Sequence, residues 1–433
     1  MVIAAPGVAK PAGADVVRRE LPNGVRVIVL RDPSAPLVAA RALWRGGLRS
    51  EPAGLGGIGQ VLAASWTGAC GGREGEDIER ALRADGAAMA GVAGRDTLGL
   101  RAEWTRAGWE QGFELLADCV TAPQFAADAV RGARERARAL FVERAHSSTW
   151  AALGLIDGAL RGPSTSSTAS LDRVDFVQVQ EHFRAHYPVS AMTLAVVGDV
   201  DPERVMARVQ ARFGDAARVR PPAAPPVPSP APQRELYRHL AAGDAATVAV
   251  AFPAVGRGHR ERAALEVAAA LLGTGPARAG LVADAEAGYL HMHRVCRPEE
   301  VPAALAALRL QLARVRGGAS DTEVRRAAGR LARAREDALA RSPQAAALLA
   351  LYEVLGPGAQ HAAGHAALLR AVRAADVRAV AARHLRSATE VVATALPLLA
   401  SPEAARRMHP TRRTVKRPVV PTVKRRARRR SRR

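Results

Sequence analysis

The sequence predicts an α+β protein built from two α/β-layered domains of one plan, the second shortened. Three observations carry that expectation. Short Val- and Leu-rich runs bounded by Gly, Pro and Asn mark strands, and longer stretches with apolar residues at helical spacing lie between them. The succession of strands and helices recurs at roughly 200 residues, the sign of a duplicated domain rather than a solenoid. With 433 residues, 48% hydrophobic but only 4% aromatic, the chain has room for two cores packed by small aliphatic side chains.

The first element is "LPNGVRVIVLRD" (21–32), where Asn23-Gly24 supplies a turn with positive φ and Val25, Val27 and Val29 alternate as on a strand. "LVAARALW" (37–44) follows the Pro36 break and is expected to pair with it as a hairpin. Residues 54–70, "GLGGIGQVLAASWTGAC", read as a helix entered from a tight turn, and "EGEDIERALRADGAAM" reads as another. "TLGLRAEW" puts Leu98, Leu100, Ala102 and Trp104 on one strand face. In "GWEQGFELLADCV", Trp109, Phe113, Leu116 and Val120 form one helical stripe, and an Arg-rich helix follows around 126–145. The first domain closes with helix "DFVQVQEHFRAHY", the buried strand "MTLAVVGDV" and helix "DPERVMARVQARF", whose Asp201-Pro202 provides cap and first turn.

Residues 221–232, "PPAAPPVPSPAP", are too proline-dense for anything but an extended spacer and mark the domain boundary. Beyond it come strand "ATVAVAFP" (246–253), helix "ERAALEVAAALLG", a short strand near 289–296 and helix "EVPAALAALRLQLARV". Ser320 and Glu323 then open a helix with a capping box. Helix "AALLALYEVLG", a helix to His384 and strand "EVVATAL" complete the unit. The expected organisation is an N-terminal extension (1–16), a first domain (17–215), a linker (216–234), a second domain (235–400) and a basic tail (401–433).

The formal charge of +22 invites a nucleic-acid reading until it is located along the chain: residues 401–433 hold 14 Lys/Arg against the single acid Glu403. The folded part is only mildly basic. In the tail, Arg425, Arg426, Arg428, Arg429 and Arg430 are candidates for non-specific contact with polyanions, since the segment has neither aromatics nor apolar periodicity. Cys70, Cys119 and Cys296 are odd in number, widely spaced and never in a Cys-x-x-Cys pair, so neither a disulfide framework nor a zinc ribbon is indicated and a reducing compartment is expected. The N-terminus has no basic start followed by an apolar run, and no apolar stretch is long enough to span a membrane. A soluble cytoplasmic protein is expected, or a periplasmic one should the start codon lie further upstream.

The stretches "LPNGVRVIVLRDPSAPLVAARALWRGGLRSEPAGLGGIGQVL", "EDIERALRADGAAMAGVAGRDTLGLRAEW", "FELLADCVTAPQF" and "EHFRAHYPVSAMTLAVVGDVDPERVMARVQARFG", with looser matches in the second half, resemble the pitrilysin/insulinase family of inverted-zincin metallopeptidases over about residues 17–400. The resemblance implies the fold of the mitochondrial-processing-peptidase type (LuxS/metallopeptidase-like). In that family residues 54–70 would carry His-x-x-Glu-His, two histidines binding zinc and a glutamate activating water. The matching positions here are Gln60, Ala63 and Ala64. The third ligand, a glutamate on a later helix, falls at Val142 within "RERARALFVER", with Glu143 one position away. Of the family's substrate-contacting Arg and Tyr, Tyr289 matches the tyrosine, Val282 stands where the arginine is expected, and Arg278 matches an earlier position. The family's two strands after that tyrosine are expected here as one.

The resemblance therefore implies a catalytically inactive homologue without a cofactor. It would pair with a zinc-bearing homologue or with itself and would enclose a peptide. The alternative is a stand-alone scaffold recruited to nucleic acid or anionic membrane by its tail. His361 with His365 ("HAAGH") and His291 with His293 ("HMH") are the suggestive histidine pairs; neither has an acid or Cys at ligand spacing, and solvated side chains are expected. "GTGPARAG" (273–280) reads as a turn and "GPSTSSTAS" (162–170) as a polar loop.

Overall fold

Gly24 adopts φ +105° and its N–H donates to Leu21 O, so the chain reverses and β1 (Val16–Glu20) pairs antiparallel with β2 (Arg26–Arg31). The computed structural model describes residues 16–162, 166–223, 225, 234–240 and 243–397. The N-terminal extension, most of the proline-dense spacer and the basic tail lie outside the described residues.

The first half continues with β3 (Leu37–Arg45), α1 (Ile58–Ser65), the short β4 (Ala69–Cys70) and β5 (Arg73–Glu74), and α2 (Gly75–Ala84). Then come β6 (Ala88–Ala93), β7 (Thr97–Thr105), α3 (Trp109–Thr121), α4 (Ala127–Ala145) and α5 (Ser148–Arg161). It ends with α6 (Thr168–Leu171), α7 (Phe176–His186), β8 (Thr193–Gly198) and α8 (Pro202–Phe213). The strand order is β1-β2-β8-β3-β7-β6. The expected hairpin of β2 and β3 does not form, because β8 lies between them, parallel to β2 and antiparallel to β3. Helix α2 stops at Ala84 instead of running on to Met89: Gly86 takes φ +60° and releases the chain into β6.

The second half contains β9 (Arg234–Leu240), β10 (Ala246–Val255), α9 (Arg262–Leu272), β11 (Arg278–Ala283) and β12 (Ala287–Cys296). It continues with α10 (Val301–Gly317), α11 (Asp321–Leu339), α12 (Ser342–Leu355), α13 (Ala359–Ala371), α14 (Ala374–His384) and β13 (Val391–Pro397). Its order, β11-β12-β10-β13-β9, repeats that of β6-β7-β3-β8-β2, including the one parallel pair, β13 with β9. The strand missing from the second sheet among the described residues is thus the counterpart of outer β1. Tyr289 lies on β12, the single strand that runs on to Cys296 before Pro298 and α10, and β12 pairs antiparallel with β11, which precedes it.

Each half lends a helix to the other. On the first sheet, Ile28, Ala39, Leu43, Ala195 and Val197 pack against Ala345, Ala346, Leu349 and Ala350 of α12. On the second, Ala249, Ala251, Tyr289, Val391, Ala393 and Ala395 pack against Ala151, Ala152, Ile156 and Leu160 of α5. Covered on both faces, β8 and β13 are buried at every residue, which explains their unbroken apolar runs. The sequence pattern predicts no helix where α5 lies, yet Ser147 caps it by accepting from Trp150 N. This exchange makes the described residues up to Pro397 one compact body.

Cys70 and Cys119 are both fully buried and are joined as a disulfide across 49 residues, with Cα atoms 4.8 Å apart. Cys296 remains a free buried thiol. The bond overturns the expectation that no disulfide is present. Among the described residues, no helix is long and apolar enough to cross a membrane.

Candidate functional site

Helix α1 is held tightly at both ends. Its N-cap Gly57 takes φ +97°, where a Cβ would meet Leu171 Cδ2 at 2.5 Å, and the Glu51 carboxylate accepts from Gly57 N at 2.9 Å and Gly59 N at 3.0 Å. A carboxylate on the first N–H groups satisfies donors that would otherwise lack partners and complements the helix dipole. At the other end the Trp66 ring stands 5.5 Å from Trp44 and 5.2 Å from Phe183, and its Nε1 donates to Cys119 O at 2.9 Å. Beneath α1 lies β6. A Cβ on Gly91 would stand 1.9 Å from Ala63 O, so only glycine admits the helix this close to the strand.

The three positions that the resemblance aligns with zinc chemistry sit on this helix. Gln60 is half-buried, Ala63 is buried against β6, and Ala64 is exposed. None is a ligand that binds zinc readily, and none is a base. On α4, Val142 is 43% exposed and Glu143 is exposed as well. Among the described residues, no three of His, Cys, Asp or Glu stand together in a group able to hold a metal ion. The donor set does not fit zinc at this position. What remains is a helix locked onto an edge strand, since β6 ends its sheet.

Tyr289 lies elsewhere, in the junction between the halves. It is 5% exposed, its hydroxyl donates to Asp157 Oδ1 at 3.2 Å, and the Arg161 guanidinium stands 5.1 Å from its ring centroid. Arg161 bridges Asp157 and Asp284, the latter at 2.6 Å, while Arg95 lies 3.5 Å from each of the same two carboxylates. Burial, followed by Asp157, pushes the Tyr289 hydroxyl well above the usual phenol range. Ala285 N donates to Asp96 Oδ2 at 3.0 Å, so the tips of the two equivalent hairpins, β6-β7 and β11-β12, meet here. Val282 packs toward α5, and Arg278 is exposed at the start of edge strand β11.

The histidine pairs are not solvated as expected. His365 is 1% exposed and its Nε2 donates to Glu266 Oε2 at 2.8 Å, an acid 99 residues away that sequence spacing does not reveal. His361 stacks on Tyr352 with ring centroids 5.8 Å apart. On β12, His291 and His293 stack at 5.7 Å, and burial, then His293, pulls His291 down to about 4. A further pair, His182 and His186 on α7, carries no signal the sequence reading used. His182 is buried beside Tyr187, and burial, then His186, lowers it to about 4.

The positions that the resemblance aligns with a metal site thus carry no ligand side chains. Residues 173–331 match the family model of the peptidase M16 inactive domain, a stretch that does not include α1. An uncharacterised zinc protease of Streptomyces coelicolor is 27% identical over 202 residues, covering 40% of this chain. The chain spans 43% of that relative's length. Among solved structures, a protease from Helicobacter pylori has a TM-score of 0.80 at 15% identity, covering 88% of this chain and 99% of that one. A peptidase M16 inactive domain from Pseudomonas fluorescens has a TM-score of 0.79 at 17% identity, covering 90% and 100%. A chain of complex III2 from Candida albicans has a TM-score of 0.75 at 16% identity, covering 91% and 99%. The fold is that of the M16 peptidases, and residues 173–331 are similar to that family's inactive domain.

Proposed function

We propose that this protein is the non-catalytic member of a peptidase pair, which associates with a zinc-bearing homologue and helps enclose an extended peptide. The observation that carries the reading is α1 itself. The helix is fixed by Glu51, Trp66 and the Ala63–Gly91 contact, yet presents an amide and two methyl groups where the resemblance places ligands and base. A scaffold kept this close to an edge strand suits main-chain pairing of a peptide to β6, in which backbone N–H and C=O groups supply affinity without any catalytic group. The match to the inactive M16 domain and the likeness to a subunit of a larger complex support this role.

The test is co-purification of the full chain with a zinc-bearing homologue from the same genome, followed by peptidase assay. Chelator-sensitive hydrolysis by the mixture, and none by this chain alone, is the expected result. Stoichiometric zinc and hydrolysis in the isolated chain would overturn the proposal. Failure to associate, combined with heparin retention that disappears when residues 411–433 are deleted, would favour the scaffold reading through the Arg-rich tail.

A further inference from the structure

Three guanidinium groups converge on one buried ring in the second half. Arg257, Arg262 and Arg335 stand 5.4, 5.2 and 5.6 Å from the ring centroid of fully buried Tyr352. Cation–π attraction accounts for part of this arrangement. It does not account for the charge, because three cations share one carboxylate. Glu266 receives Arg262 Nε at 2.7 Å and His365 Nε2 at 2.8 Å. Arg257 donates Nη2 to the neutral Ala283 O at 2.7 Å and keeps a buried Nε without a partner. Arg335, half-buried on α11, has neither a hydrogen bond nor an ion pair among the described residues. Arg257 and Arg335 thus have no ion pair of their own, and the carboxylate that feels Arg335, Glu266, is already shared by Arg262 and His365, an arrangement short of negative charge in a partly desolvated setting.

Arg335 also opens onto space. Together with Glu266 and Gln344 it lines a cavity of about 410 Å³ between α9, α11, α12 and α13, whose remaining wall is apolar and includes Leu331, Leu348 and Leu369. The site is an open groove rather than an enclosed pocket, and its lining is mostly apolar with a few polar groups.

We propose that this cavity binds a small amphipathic carboxylate, its anionic head on Arg335 and its apolar body along Leu331, Leu348 and Leu369. A carboxylate matches the fork of a guanidinium with two parallel hydrogen bonds. It leaves one negative charge beside Glu266, whereas a phosphate dianion would bring two against that wall and leave the leucines uncovered. The Gln344 amide at the rim can donate to the same head. None of these residues lies on α1 or β6, so the proposal is independent of the peptide-binding reading.

The experiment is calorimetric titration of the full-length protein with octanoate, octanol and inorganic phosphate. Saturable one-to-one octanoate binding is expected, with octanol and phosphate at least tenfold weaker. Arg335→Gln should weaken octanoate at least tenfold, and Ala347→Phe, which fills the cavity and leaves the charges in place, should do likewise. Arg333→Gln, an exposed cation on the same helix, should bind as the wild type does. Absence of saturable octanoate binding, phosphate binding tighter than octanoate, or wild-type affinity in both Arg335→Gln and Ala347→Phe would each overturn the assignment. The octanoate–octanol comparison on the wild type needs no variant to fold.

Discussion

Helix α1 follows β3 and helix α9 follows β10, and these strands hold equivalent places in their sheets. The two helices differ in what they carry. The one at the position where the resemblance places metal chemistry is built of small and aliphatic residues with Gln60 and Ser65 and carries no ionisable side chain, whereas α9 bears Arg262 and Glu266 in a buried network with His365. Both helices are packed by apolar residues, but α1 adds a close backbone approach through Gly91 whereas α9 adds a buried charged network. A duplicated frame can thus lose its titratable groups in one copy and gather them in the other without changing strand order. Four experiments break or sharpen this contrast.

The largest effect is expected at Gly91. Gly91→Val would drive a side chain into Ala63 O and should cost about 3 kcal/mol or more in denaturant unfolding, the upper range for overpacking. Gly280, one residue out of register on the equivalent edge strand, would place its Cβ 3.1 Å from His291 Nε2, a side-chain atom that can move. Gly280→Val should therefore cost about 1 kcal/mol. Equal costs at both sites would show that α1 does not depend on its close approach to Gly91.

Next comes the charged half. Glu266→Ala leaves Arg262 and His365 buried without their acceptor and should cost about 3 kcal/mol, as expected when one partner of a buried pair is removed. Gln60→Ala on α1, by comparison, should stay within about 0.5 kcal/mol. Burial pushes the Glu266 carboxyl up, but the hydrogen bond from His365 and the charges of Arg262 and Arg335 outweigh it and hold the group at about 2. Its contribution is present above the ordinary carboxylate value of 4.5 and is lost as pH falls toward 2.

Much of this was legible in the sequence. The LPNG turn, the Asp201-Pro202 start and the Ser320–Glu323 capping box each depend on neighbours within four residues, and each forms as expected. The β2–β3 hairpin failed because its arbiter, β8, lies more than 140 residues away from both strands. The same reason hid the Tyr352 cluster, whose cations come from two stretches, residues 257–262 and Arg335 of α11, that lie more than 70 residues apart and close on a ring in α12. That Gln60, Ala63 and Ala64 offer neither a zinc ligand nor a base could be read directly, because it is a statement about residue types and not about partners.

A pH-dependent effect should appear in mild acid. His182 and His291 have folded-state values near 4 against an ordinary 6.5, both because of burial first and a neighbouring histidine second. Above pH 6.5 both are neutral, folded or unfolded, and cost nothing. As pH falls toward 4 the unfolded chain takes up the protons first, so each histidine removes up to about 1.4 kcal/mol of stability per pH unit, about 2 kcal/mol at pH 5. The wild type should lose thermal stability between pH 7.5 and 5, and the His182→Gln/His291→Gln double variant should lose less. An unchanged loss in the double variant would remove the histidines as its cause.

The smallest effect is expected where the first half has been emptied. Gln60 is half-buried and Ala64 exposed one turn further along α1, so histidines at both positions can point away from the core. Gln60→His/Ala64→His should change stability by less than about 1 kcal/mol, the helix-propensity difference. Ala63 is different: at 6% exposure and with its backbone against Gly91, Ala63→Glu would bury a carboxylate without a partner and should cost several-fold more. The histidine pair should take up zinc weakly, through two ligands, and should not hydrolyse peptides, because Val142 and exposed Glu143 do not complete a tetrahedral set. Zinc uptake measured by competition with a chromogenic chelator, alongside a peptidase assay, decides the matter: hydrolysis by the double variant alone would mean that α4 can swing a ligand into place and that the first half is less thoroughly emptied than its residues imply.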